Sequence, residues 1–142
     1  MTIVMPATIL IVDDYADNRE LLRLMLEQAG YRVLEATGGG EGIHAARSER
    51  PDLALVDLSM PGVDGWRVLS ELRADDGTSG ILCAAVSAFA DGAREQALAH
   101  GFDAYITKPF RRSDLIETVE RLLAERAARG LSAGNGRQEE AV

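Results

Sequence analysis

The chain has 142 residues, 46% of them hydrophobic, which suits one domain with a sizeable core and leaves little for a second. A net charge of -8 argues against direct, non-specific nucleic-acid binding, which needs a basic surface to neutralise phosphates. The one cysteine, Cys83, excludes an intramolecular disulfide and fits a reducing compartment. With no signal-peptide pattern and no apolar run near the ~20 residues that span a bilayer, a cytoplasmic chain without membrane insertion is expected.

Strand and helix patterns alternate five times after a short lead over residues 1–7. Strands are expected at 8–12, 31–35, 53–57, 81–86 and 103–107. Four are almost wholly apolar, as in strands buried on both faces of a parallel sheet. The mixed run from Tyr31 to Glu35 reads as an edge. A first helix over 17–29 places Leu21, Leu22, Met25, Leu26 and Ala29 on one side. Asp17 with Glu20 resembles a capping box, and Gly30 reads as its stop. Gly38-Gly39-Gly40-Glu41-Gly42 lacks the Lys-Ser/Thr of a P-loop and reads as a flexible strand–helix turn. Asp64 before Gly65 reads as a turn residue, and Trp66 as a partly packed residue opening the third helix. His44 falls in a helix and His100 at a helix C-terminus. A last helix over 114–129 carries Leu115, Ile116, Val119, Leu122 and Leu123, with Ser113 as cap and Gly130 as stop. The domain is expected over 8–129, followed by a polar, Gly-containing, disordered tail over 130–142.

Alternation of this kind predicts a doubly wound five-stranded parallel sheet flanked by five helices, an α/β fold with right-handed crossovers. Such sheets bind ligands beyond the carboxyl ends of their strands. Asp13 and Asp14 follow the first apolar run, Asp57 ends the third, Ser87 follows the fourth, and Lys108 follows the fifth. At about 4 Å and an effective dielectric near 20, each contact between carboxylates costs roughly 4 kcal/mol. A hard divalent cation, Mg²⁺, with Lys108 as second counter-charge, would relieve that repulsion.

Four motifs in order carry a family resemblance over residues 8 to about 127. They are Asp13-Asp14; Asp57-Leu58-Ser59-Met60-Pro61-Gly62-Val63-Asp64-Gly65; Ser87-Ala88; and Tyr105-Ile106-Thr107-Lys108-Pro109-Phe110. Together they resemble the receiver domains of bacterial two-component response regulators, in particular the single-domain chemotaxis and cell-division regulators. The resemblance implies the flavodoxin-like receiver fold and a phosphoprotein that takes a phosphoryl group onto Asp57 from a histidine kinase or histidine phosphotransfer protein. It implies Mg²⁺ held by Asp14, Asp57 and the backbone carbonyl of Ser59, with Asp13 acting largely through water. It also implies phosphoryl stabilisation and switching through Lys108, Ser87 and Tyr105, a cis peptide before Pro109, and hydrolysis tuned from the positions of Ser59 and Phe89. A downstream target protein is expected on the face of the fourth helix, fifth strand and fifth helix, or on the first helix. Such a protein assists only its own phosphorylation and dephosphorylation and is not an enzyme in the usual sense. Alternatives are a phosphorelay shuttle or a phosphorylation-independent interaction module. A flavodoxin-like or dinucleotide-binding enzyme would want glycines or hydroxyls after the first strand, and no GxGxxG follows it.

Overall fold

The computed structural model describes residues 6–88 and 92–141, with the backbone alone for 131–141. Five strands, β1 (Thr8–Val12), β2 (Arg32–Ala36), β3 (Leu53–Asp57), β4 (Leu82–Ser87) and β5 (Ala104–Thr107), form one parallel sheet in the order β2-β1-β3-β4-β5. Between and after them run α1 (Ala16–Gln28), α2 (Gly39–Glu49), α3 (Gly65–Ala74), α4 (Ala93–His100) and α5 (Arg112–Ala141). The expected doubly wound α/β fold is the observed one, with the mixed strand β2 at an edge.

Strand periodicity explains the two cores. Ile9 and Ile11 point to one face, where they meet Leu22 and Leu26 of α1 and Leu115, Val119 and Leu122 of α5. Leu10 and Val12 point to the other, against Ala46 of α2, Val68, Leu69 and Leu72 of α3, and Ala97 of α4. Each such fully buried Leu, Ile or Val stabilises the fold by about 1.5–3 kcal/mol over an exposed one. Burial on both faces is why β1, β3 and β4 carry almost no polar residue until their carboxyl ends. Cys83 lies in this core, and burial pushes its thiol up to about 11.

Several local expectations are corrected. No capping box forms at Asp17: Tyr15 is the N-cap of α1 without a side-chain hydrogen bond, and Asp17 sits in the first turn, where the helix dipole favours its charge. Asp64 is more than a turn residue, because its carboxylate accepts from the Arg67 N–H at 3.0 Å and caps α3. The glycine-rich run is helical from Gly39 onward. Two of its glycines serve close packing, since a Cβ at Gly39 would collide with Val63 and one at Gly42 would lie 2.8 Å from both Val12 methyl carbons. Ser113 lies inside α5, and the helix passes through Gly130 to Ala141. A glycine within a helix costs only about 1 kcal/mol relative to alanine, which neighbouring Ala, Arg and Leu residues can absorb. Among the described residues no helix is long and apolar enough to cross a membrane.

Two side chains pin the far end of the sheet. Arg126 of α5 donates to the Asp52 carbonyl at 2.7 Å and to its carboxylate at 2.9 Å, while the other carboxylate oxygen accepts from the Thr8 N–H. Arg73 of α3 donates to the carbonyls of Ser79 and Ile81 and to the Asp103 carboxylate, which also caps the Cys83 N–H. With that end fixed, the opposite end is free to carry polar residues.

Candidate functional site

Register brings the polar strand ends level. Val12 pairs with Val56, so Asp13 and Asp57 emerge side by side from β1 and β3. Asp57 pairs with Val86 and Ser87 with Thr107, which brings the end of β4 and the residue after β5 to the same edge. The Lys108 N–H donates to the Ser87 carbonyl at 2.8 Å, and the Lys108–Pro109 peptide bond is cis.

Local loops then aim the carboxylates. Oδ1 of Asp13 accepts from the Tyr15 N–H at 2.8 Å, and Oδ1 of Asp57 accepts from the Ser59 N–H at 3.0 Å. The Oδ2 atoms face one ammonium: Lys108 Nζ lies 3.5 Å from that of Asp13 and 3.6 Å from that of Asp57. Lys108 is the only lysine in the chain, all other basic side chains being arginine or histidine. Its compact, strongly hydrated charge suits a crowded cleft better than a planar guanidinium. Asp14 is exposed at the rim, and a ligand oxygen from each of Asp13, Asp14 and Asp57 falls within 4.8 Å of the others.

The site is electrostatically unsettled. Burial raises the Asp57 carboxyl above its ordinary range, Asp13 and Asp14 raise it further, and the Ser59 N–H and Lys108 pull it back. Asp13 is only 1% exposed, and its Oδ2 is buried without a hydrogen bond. A buried carboxylate oxygen with no hydrogen bond, and only the Lys108 ammonium 3.5 Å away, leaves room for a second cation to complete it. Three carboxylates offering oxygens alone form a hard donor set, which fits Mg²⁺ rather than a thiolate- or imidazole-seeking metal.

The remaining predicted residues fall nearby. Ser87 is buried at the end of β4. Tyr105 is only 6% exposed and lies in the core cluster with Ala85, its register partner on β4, whose small side chain leaves room for the ring. The Tyr105 ring is thus turned inward in this structure. Ser59 is exposed beside Asp57, and Phe89 lies outside the described residues. Two contributors went unread in the sequence. Gly65 brings α3 against the Asp57 main chain so closely that a Cβ there would sit 2.4 Å from the Asp57 carbonyl oxygen. Arg19 of α1 donates to the Asp13 carbonyl at 2.8 Å. Its place in the second turn, six residues after Asp13, was the available signal.

Residues 9–120 match the family model of the response regulator receiver domain. The chain belongs to that family. The polar-differentiation response regulator DivK of Brucella anthropi is 38% identical over 122 residues, covering 85% of this chain and 99% of that protein. A CheY-like receiver domain protein from Methanospirillum hungatei superposes with a TM-score of 0.82 at 31% identity, covering 89% of this receiver and all of that chain. The receiver domain of a Pseudomonas aeruginosa sensor histidine kinase, solved with a magnesium ion coordinated in its active site cleft, gives a TM-score of 0.76 at 32% identity. That match covers 82% of this receiver and 97% of the other chain.

Proposed function

We propose that this receiver is a single-domain response regulator that accepts a phosphoryl group on Asp57 from the phosphohistidine of a histidine kinase or phosphotransfer protein. The observation that carries the reading is the convergence of buried Asp13 and Asp57 on the single lysine, the Asp13 oxygen that faces it making no hydrogen bond. The residues that would hold Mg²⁺ are Asp13, Asp14, Asp57 and the Ser59 carbonyl. Bound there, the cation supplies charge neutralisation for the nucleophile and the incoming phosphoryl oxygens.

The chain's own residues do the rest. A carboxylate oxygen of Asp57 attacks phosphorus, the new P–O bond forms as the P–N bond to imidazole breaks, and the electron pair leaves with the imidazole. Lys108 balances charge on the equatorial oxygens, and the Ser87 hydroxyl donates to one of them. Nominally, three carboxylates against a divalent cation and one ammonium sum to zero, so a dianionic group can approach. Partner docking on α1 is supported by Leu21 and Leu24, large apolar side chains exposed on that helix. A cytoplasmic setting is supported by the buried free thiol of Cys83.

Switching follows from charge. Phosphorylation adds about -1.5 to -2 charges, if the acyl phosphate resembles phosphoesters. Turning a population from mostly inactive to mostly active takes about 5.5 kcal/mol of differential interaction. Two or three charge-assisted hydrogen bonds of about 1.5–3 kcal/mol, from Ser87, Lys108 and backbone N–H groups, supply that. They would redraw the α4-β5-α5 face, where Arg94, Tyr105, Pro109, Phe110 and Thr118 line a cavity of about 270 Å³. Incubation with Mg²⁺ and acetyl phosphate, followed by Trp66 fluorescence and intact mass, tests the proposal. One phosphoryl group on the wild type and none on Asp57→Asn is expected. Labelling that survives Asp57→Asn, or none in either protein, would overturn it.

A further inference from the structure

We infer that Arg19 is a positioning residue for the cation site: its guanidinium clamps the Asp13 main chain so that a single carboxylate oxygen is offered to the metal. This rests on the reading above that the acidic cluster binds Mg²⁺.

Consider where each polar atom of Asp13 goes. Its N–H donates to the Ala36 carbonyl at the end of β2, at 3.2 Å. Its carbonyl accepts from Arg19 Nη1 at 2.8 Å. Its Oδ1 accepts from the Tyr15 N–H. Only Oδ2 has no hydrogen bond, and it is the atom turned into the cleft toward Lys108. Asp13 is therefore held on three sides and open on the fourth.

Arg19 is itself anchored. Its side chain is only 16% exposed, and its Nε lies 3.7 Å from the Glu35 carboxylate on β2, one residue before Ala36. Glu35 is shared with Arg23, which also pairs with Glu27. Both clamps on the Asp13 main chain therefore lead back to the end of β2, one directly through Ala36 and one through Arg19 and Glu35. The planar fork of arginine can serve a carbonyl and a carboxylate at once, whereas a lysine ammonium presents a single point of charge. Pairing with Glu35 also mutes the field that an unpaired guanidinium would direct against a cation. Partners that orient a metal ligand from behind typically alter metal affinity by about 10–100-fold when removed. Arg19 grips the ligand's main chain rather than its carboxylate, so the lower end of that range applies.

The test is Mg²⁺ titration of the full chain, by calorimetry and by Trp66 fluorescence, at a temperature well below each variant's Tm. Arg19→Ala should weaken Mg²⁺ binding by about tenfold, and Arg19→Lys should recover part of that loss. In an Asp13→Asn background, Arg19→Ala should make no further difference, because the ligand it positions is gone. Glu35→Gln keeps Arg19 but removes its anchor; it should weaken Mg²⁺ by a few-fold and serves if Arg19→Ala does not fold. Unchanged Mg²⁺ affinity in Arg19→Ala or, failing its folding, in Glu35→Gln overturns the inference, as does an Arg19→Ala loss equally large in the Asp13→Asn background. A wild type that binds no Mg²⁺ overturns both this inference and the reading beneath it, whereas wild-type binding with indifferent variants sinks this inference alone.

Discussion

Replacing Asp57 by asparagine removes one charge from the cluster at nearly constant volume, so its effect on stability reports the crowding directly. The ligand oxygens of Asp13, Asp14 and Asp57 lie within 4.8 Å of one another. At that spacing and an effective dielectric of about 20, each like-charge contact costs about 3.5 kcal/mol. Lys108, 3.6 Å from Asp57, returns about 4.6 kcal/mol on the same scale. Two repulsions against one attraction leave roughly 2 kcal/mol against the ionised Asp57, which the Ser59 N–H bond and screening at exposed Asp14 trim to about 1 kcal/mol. Burial acts in the same sense and is the leading reason the Asp57 carboxyl is raised. The native state therefore retains a proton that the unfolded chain has released between the two pKa values. Wild-type stability falls as pH rises through that window. In EDTA at low ionic strength and pH 7, Asp57→Asn should melt about 2–4 °C above the wild type. The gap should close as the pH falls below the carboxylate range. Saturating Mg²⁺ should reverse the order, since a ligand at ~100 times its Kd stabilises the wild type by about 2.7 kcal/mol and the variant has lost one ligand. Thermal melts across pH, with and without Mg²⁺, provide the assay. A variant less stable than the wild type in EDTA at pH 7, or a difference indifferent to pH, would refute the reasoning.

Three further outcomes are expected. Arg126→Ala should lower stability by about 1–2 kcal/mol in urea unfolding, because two charge-assisted bonds to Asp52 are lost at a half-exposed position. Gly65→Ala should cost about 2 kcal/mol or more and reduce phosphoryl acceptance, since a Cβ 2.4 Å from the Asp57 carbonyl meets backbone that cannot step aside. The Cys83 thiol, buried and pushed up to about 11, should resist iodoacetamide at pH 8 and react only as the chain unfolds. Alkylation of the native protein at the rate of a free thiol would contradict its burial.

The sheet was legible because burial on both faces leaves an unambiguous signature. Ile9 to Val12 and Leu53 to Val56 must face apolar helices above and below, so polar residues appear only where each strand ends. That same rule exposed the cluster, since a carboxylate closing an apolar run is conspicuous. The half-wet, mixed strand β2 and the buried strand β4 both read one residue early. Local chemistry was less legible where its partner lies far along the chain. Nothing near Gly39 or Gly42 announces that Val63 and Val12 approach them, so a run of glycines looked like a turn. Arg19 looked like any basic residue on a helix surface, because its acceptor is a main-chain carbonyl and carbonyls leave no trace in composition. Tyr105 needed knowledge of Ala85 across the ladder before its inward position made sense.

The most direct measurement is residue-level mapping of phosphoryl transfer from a phosphorylated histidine kinase or phosphotransfer domain, by peptide mass spectrometry with Mg²⁺ and with EDTA. The label should fall on the peptide containing Asp57, require Mg²⁺, and collapse when Lys108 becomes alanine. Label at another residue, or transfer to Asp57 that proceeds equally well in EDTA, would contradict the claim that a cation and one ammonium make these crowded carboxylates an acceptor.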